Sequence, residues 1–161
     1  MKRTDSSERQ EAQIANGWVL YAHPLFLEGY AALVAAVEAE KRKDPKNFQS
    51  ASAARILYAV EELVNRLIPA NPADKKYRQG ETLGAANKHW FRAKFYQQFR
   101  LFFRFDSRSK TIVYAWLNDE DTLRAYDSKT DAYRTFQKML ARGNPPGAFD
   151  DLLKASKSMK K

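Results

Sequence analysis

Two alternating runs of apolar and polar residues, separated by three residues, lie between positions 88 and 110 and admit one kind of local structure. In Phe91-Arg92-Ala93-Lys94-Phe95 the apolar residues share a face and Arg92 and Lys94 take the other. From Phe99 to Phe105, the residues Phe99, Leu101, Phe103 and Phe105 stand opposite Arg100, Phe102 and Arg104. Period two is the pattern of a β-strand, because successive side chains leave the pleat on opposite sides. Closing the pair through Tyr96-Gln97-Gln98 sets Phe95 opposite Phe99, Lys94 opposite Arg100 and Arg92 opposite Phe102. A third run, Thr111 to Leu117, is rich in strand-forming residues and follows a short polar turn. Sequential strands with short connections favour an antiparallel meander.

The same window concentrates charge. Residues 88 to 110 hold seven Lys/Arg and eight aromatic residues against one acid, Asp106, so 7 − 1 = 6 of the formal +9 net charge sits there. A surface that turns cations and flat rings outward together suits RNA. Like charges placed opposite one another on a sheet are destabilising, so Lys94 facing Arg100 beside Arg92 favours a bound phosphate over a merely solvated basic face.

At 161 residues the chain is one domain's length. It lacks cysteine, which excludes disulfides, a thiolate nucleophile and a zinc-thiolate site. No apolar run approaches the roughly 20 residues of a membrane span. The first residues are charged throughout, without the apolar centre of a secretory signal, so the cytoplasm is the expected location.

Proline at position 24 opens a helix whose apolar residues Phe26, Tyr30, Leu33, Val34 and Val37 recur at helical spacing, ending near Lys43 before Asp44-Pro45. A second stripe, Ile56, Val60, Leu63, Val64 and Leu67, predicts a helix stopped by Pro69 and Pro72. Residues 69 to 89 read as a long connection. After the strands come a short helix near Thr122 to Tyr126 and a clear one over Asp131 to Arg142, with Tyr133, Phe136, Met139 and Leu140 on one side. The expected architecture is α+β, with N-terminal helices packed on one face of a small antiparallel β-sheet, a C-terminal helix, and the other sheet face left for function or a partner. Residues 1–15 are expected to form a flexible N-terminal arm, 16–147 the folded domain, and 148–161 a frayed basic C-terminal tail.

For RNA cleavage without a metal, the 2′-hydroxyl attacks the adjacent phosphate in line. The protein must then supply a base, cations for the phosphorane and a proton for the leaving 5′-oxygen. Arg92 and Arg100 suit the phosphate, and Lys94 suits the base because arginine stays protonated. Arg124 and Tyr126 become candidates for phosphate contact or proton donation if the chain folds back past the third strand. Lys88, Phe102, Arg104 and Trp116 are candidates for holding RNA through phosphate contacts and stacking, although core packing competes for any strand aromatic. His89 reads as a packed or surface residue, and Asp119-Glu120-Asp121 as helix-capping acids rather than a metal site.

These strands resemble those of RelE-like ribonuclease toxins: cation-x-cation, here Arg92-Ala93-Lys94, then a turn, then aromatic-Arg-apolar, here Phe99-Arg100-Leu101. A more specific similarity is to the YhaV toxin family. It is carried by Asn16-Gly17-Trp18, Leu20 to Pro24, Lys43-Asp44-Pro45, Arg100 to Arg104, Asn118-Asp119-Glu120, Thr122-Leu123-Arg124, Lys129 to Tyr133 and Pro145-Pro146. The resemblance implies a RelE-like domain and a toxin of a type II toxin-antitoxin system: an endoribonuclease that cuts mRNA, in association with the ribosome, and needs no cofactor. It also implies a PrlF-like antitoxin with an AbrB-type DNA-binding part, and a complex that represses its own operator DNA. By pattern, Arg92, Lys94 and Arg100 take the places of catalytic cations, with Arg124 and Tyr126 carried over from the C-terminal part of the motif. Asn118-Asp119-Glu120 stands where related toxins often carry another arginine. A non-catalytic nucleic-acid-binding module or repressor component using the same basic face is the alternative.

Overall fold

A computed structural model describes residues 12–125 and 128–159. Strands β1 (Ile14–Ala15) and β2 (Trp18–Ala22) are followed by helix α1 (Pro24–Lys43) and helix α2 (Ser52–Glu62). The meander β3 (Phe91–Phe95), β4 (Phe99–Asp106) and β5 (Thr111–Leu117) comes next. Helices α3 (Ala132–Ala141) and α4 (Phe149–Lys154) and strand β6 (Lys157–Ser158) complete the chain. The six strands form one sheet of order β1-β2-β5-β4-β3, with β6 also pairing β2.

The meander is antiparallel, as its short turns require. The sheet as a whole is not. β2 runs parallel to β5, with Val19 opposite Thr111 and Ala22 opposite Tyr114, because the helical hairpin and the meander intervene and return the chain beside its first long strand. β2, Trp-Val-Leu-Tyr-Ala, is apolar at every position, so it shows no alternation to mark it as a strand.

Both faces of the sheet are covered, against the expectation of one open face. Leu20, Leu101, Phe103, Ile112 and Tyr114 pack with Phe26, Ile56, Val60 and Val64 of the N-terminal helices. On the other side Trp90, Phe102, Val113 and Trp116 pack with Tyr133, Phe136 and Met139 of α3 and with Leu152 of α4. A register shift between Phe102 and Phe103 makes this possible: Phe102 pairs with Trp116 and Phe103 with Tyr114, leaving Ala115 as the extra residue. The bulge swings Trp116 onto the α3 side. There Phe136 stacks on Trp116 at 5.6 Å and on Phe102 at 4.3 Å between ring centroids.

Helix α2 continues as a π-helical turn, Leu63–Leu67, into a last turn, Ile68–Ala70. Proline accounts for the change of winding. The Ile68 amide reaches back to the Leu63 carbonyl, so the Val64 carbonyl would next be served by residue 69, which as proline has no N–H. The fully buried Tyr114 hydroxyl donates to that carbonyl at 2.7 Å, tying the helix to β5. Burial, with the nearby Tyr77 hydroxyl, pushes the Tyr114 phenol well above its ordinary range, so it remains a donor.

The C-terminal segment, expected to fray, is built into the fold. Leu152 is fully buried, β6 pairs Tyr21 with Ser158 and Ala22 with Lys157, and the Met159 amide donates to the Leu20 carbonyl at 2.9 Å. The short helix expected near Thr122 to Tyr126 is a 3-10 turn at Glu120–Thr122. It begins at Asp119, whose carboxylate accepts from Thr122 Oγ1 and the Asp121 amide, so the first of the three acids caps the turn as its sequence context suggests. Tyr126 lies outside the described residues.

Candidate active site

The β3–β4 hairpin adopts the register its alternation predicts: Phe95 faces Phe99, Lys94 faces Arg100 and Arg92 faces Phe102. Its turn carries two consecutive non-glycine residues in the left-handed region, Tyr96 (φ 43°) and Gln97 (φ 60°), a conformation that costs about 1–2 kcal/mol per residue. The Arg100 guanidinium braces that turn, donating from Nη1 to the Gln97 carbonyl at 2.7 Å and the Phe99 carbonyl at 2.9 Å.

The side chains of Arg92 and Arg100 enter the space under α3 and meet at one atom. The Tyr133 hydroxyl oxygen accepts from Arg92 Nε at 2.8 Å and from Arg100 Nε at 3.1 Å. Arg92 Nη1 also donates to the Lys76 carbonyl at 2.8 Å. All three residues are buried, Arg92 at 7% exposure, Arg100 at 6% and Tyr133 at 5%. Each guanidinium thus has its Nε and one Nη committed to the protein, which fixes the plane of the fork.

The chain does fold back after β5. The Arg124 amide donates to the Gln98 carbonyl at 2.9 Å, and its guanidinium lies 4.8 Å from the centre of the Tyr133 ring. Arg124 also pairs with Asp131 at 2.7 Å. Asp131 caps α3, accepting from the amides of Tyr133 and Arg134, and accepts from the Ala125 amide as well. Burial alone would favour its neutral form, but the hydrogen bonds from Arg124 and the amides outweigh that and hold the carboxyl below its ordinary range. Three guanidinium groups therefore surround one phenol, and Asp131 is the carboxylate paired into the cluster.

Lys94 lies on the same strand face as Arg92 but is exposed, at the hairpin end beyond the cover of α3. Asn118 secures the opposite strand: its Oδ1 accepts the Arg100 amide at 2.7 Å, and its Nδ2 donates to the carbonyls of Gln98 and Thr122. Asn118, 3% exposed, is thus a buried clamp on the backbone of the hairpin.

The remaining candidates scatter. Phe102 is fully buried, its ring stacked against Phe136 and Trp116, so it is core and offers no face to a base. Trp116, 9% exposed, is held in the same stack. Arg104 is half-buried, its guanidinium 5.5 Å from the ring centres of both Trp90 and Phe149, and it donates to the Gly147 carbonyl. Lys88 is on the surface, paired with Glu81 at 3.1 Å. His89 is exposed and shares the Gly147 carbonyl at 3.3 Å. Burial and the Arg104 charge lower its pKa. Among the described residues no three His, Asp or Glu side chains gather as a metal-binding group.

Tyr133 and Asp131 were legible only as a helix-face aromatic and the first residue of that helix. What marks them is tertiary: α3 must be laid across the hairpin before the phenol meets the arginines. The one usable sequence signal is that both sit inside Lys129 to Tyr133, one of the segments that carry the family resemblance.

Comparison with known proteins gives the arrangement its context. Residues 20–157 match a family described as a toxin with endonuclease activity, of a toxin-antitoxin system. The chain is 49% identical over 142 residues to the ribonuclease toxin YhaV of Escherichia coli K12 and to toxin YhaV of Escherichia coli O157:H7, covering 87% of this chain and 92% of each relative. No solved structure matches. With that match across most of its length, the chain belongs to the YhaV family of toxins, endonucleases of toxin-antitoxin systems.

Proposed function

We propose that this endonuclease toxin cuts messenger RNA through the 2′-hydroxyl, at the edge of the β3–β4 hairpin where Lys94 borders the buried arginines. The observation that carries the reading is the meeting of Arg92 and Arg100 on the Tyr133 hydroxyl. It sets two guanidinium forks a fixed distance apart with a third, Arg124, alongside. Such a fixed cationic cradle suits a pentavalent phosphorane, whose added negative charge it meets without having to reorganise. Lys94 is the exposed member of the set and, as the neutral amine, takes the 2′-hydroxyl proton to become the ammonium. The oxygen attacks phosphorus, the bond to the 5′-oxygen breaks, and a 2′,3′-cyclic phosphate and a 5′-hydroxyl result. Arg124 and Tyr126 remain the candidates for the leaving-group side, Lys88 and Arg104 for phosphates further along the strand. RNA is the target by analogy with the ribonuclease named among the relatives. A ribosome as the setting, a PrlF-like antitoxin, repression of operator DNA by the complex and a cytoplasmic site of action belong to the same reading. No described helix is long and apolar enough to cross a membrane.

Lys94→Ala tests it. The side chain is exposed, so folding should be untouched, and primer extension on a reporter mRNA, with and without ribosomes, should show cleavage reduced by about 10²-fold or more. Cleavage at the wild-type rate would remove Lys94 from the chemistry; wild-type protein that bound RNA without cutting it would favour a non-catalytic binding module.

A further inference from the structure

A cleft of about 580 Å³ runs between α1 and the end of β5, and its chemistry is the reverse of the rest of the molecule. The floor is apolar. Leu25, Gly29, Ala32 and Ala36 of α1 form one helical stripe of mostly small side chains, faced by Ile56 of α2 and Phe99 of β4. The rim carries four acids, Glu28, Asp119, Glu120 and Asp121, and no Lys or Arg among the described residues, in a chain where 28 Lys/Arg outnumber 19 Asp/Glu. RNA cannot be the occupant, because four carboxylates would repel its phosphates. Helix α1 independently lacks cover: of its 20 residues only Phe26 is buried, and Ala32 and Ala36 are exposed.

We propose that this cleft is the docking groove for the antitoxin, filled by an amphipathic helix that lays apolar side chains along the Gly29-Ala32-Ala36 stripe and turns Lys or Arg toward the acidic rim. The stripe has the spacing at which a helix packs into a groove, and its small side chains allow close approach. The charge on the rim is complementary to a basic segment and selects against polyanions. The groove also reaches the catalytic hairpin from its non-RNA side: Phe99 and Asn118 line it, and Asn118 Oδ1 holds the Arg100 amide. An antitoxin seated here bears directly on the backbone that aims Arg100, while leaving the cationic cradle to RNA.

The proposal rests on the assignment of the chain as a toxin with an antitoxin partner, and its test separates the two. Ala32→Arg with Ala36→Arg fills the floor with bulk and charge; Glu120→Lys with Asp121→Lys inverts the exposed rim without touching the Asp119 cap. Each is co-expressed with the antitoxin from the gene beside its own, and growth, co-purification and RNA cleavage by the free toxin are read on protein that melts at the wild-type temperature. Both variants should cut RNA at the wild-type rate, bind the antitoxin roughly a hundredfold more weakly, and arrest growth even when it is supplied. Binding within twofold of wild type by both, or neutralisation of both, overturns the groove. So does light scattering that shows free wild-type toxin dimerising through a face that both variants lose, since the occupant is then a second copy. Failure of the wild type to cut RNA, with loss of antitoxin binding intact, would sink the nuclease reading and leave the groove standing.

Discussion

At the scale of residues, the site turns on one oxygen. A phenol oxygen accepts two hydrogen bonds, and in Tyr133 both come from arginine Nε atoms of facing strands. Tyr133→Phe keeps the ring against Phe102, where the two meet edge to face at 5.7 Å, and removes only the acceptor. Two buried charged donors then lack a partner, which costs about 1–3 kcal/mol of stability, more where charge is involved. The forks also lose their common anchor, so single-turnover cleavage should fall about ten- to a hundredfold in the rate of the chemical step with RNA affinity changed far less. A urea melt and single-turnover kinetics measure the two effects; an unchanged cleavage rate would leave Tyr133 a packing residue. The hairpin register that brings Arg92 and Arg100 together was legible, because alternation and loop length dictate it. Their burial was not. Period two says which residues share a face and is silent on what lies over it, which is why Phe102 read as a stacking candidate when it is the centre of a core.

At the scale of elements, α1 depends on a titratable cap. His23, 4% exposed, accepts the Leu25 amide at Nδ1 at 3.1 Å, taking the place usually held by Ser, Thr, Asp or Asn. Burial lowers its pKa, and the Glu28 charge only partly offsets this. The folded state therefore holds the proton more weakly than the unfolded chain. Stability from the neutral cap is present above the ordinary histidine value of about 6.5 and is lost as pH falls through the lower folded value. Below that, an imidazolium cannot accept, and the first turn of α1 should open. Hydrogen exchange at Leu25 to Leu27 should quicken relative to the rest of the helix as pH falls below the ordinary histidine value of about 6.5, and His23→Asn, which caps without titrating, should flatten the dependence. The helix itself was legible from Pro24 to Lys43, since proline at the start and apolar spacing mark it. The π-turn in the second helix was not: Pro69 reads as a stop, whereas Tyr114 supplies the missing donor from another element and lets the helix run on to Ala70.

At the scale of the whole molecule, the domain closes on its own C-terminus. The parallel pairing of β2 with β5 leaves the outer edge of β2 to be shared by β1 and β6, and Gln13 and Leu20 both exchange backbone hydrogen bonds with Met159. Composition marked the last residues as a basic tail because short apolar spacing, Phe149, Leu152 and Leu153, is too brief to identify a core helix by itself. Yet Leu152 fills the core that Trp90, Phe136 and Met139 build on the α3 face, and Phe149 covers Arg104. Leu152→Ala should therefore cost about 2–5 kcal/mol, far above the effect of an exposed position. Ending the chain at residue 147 should do more, stripping β2 of an edge partner and opening the second core beside the buried Arg92 and Arg100. Thermal unfolding of the two proteins beside wild type measures this. A truncated chain that melts with the wild type would make the segment the dispensable tail its composition suggests. A large loss would place the domain's end at β6, and would mean that α3 stays pressed onto Arg92 and Arg100 only while the last helix and strand are in place.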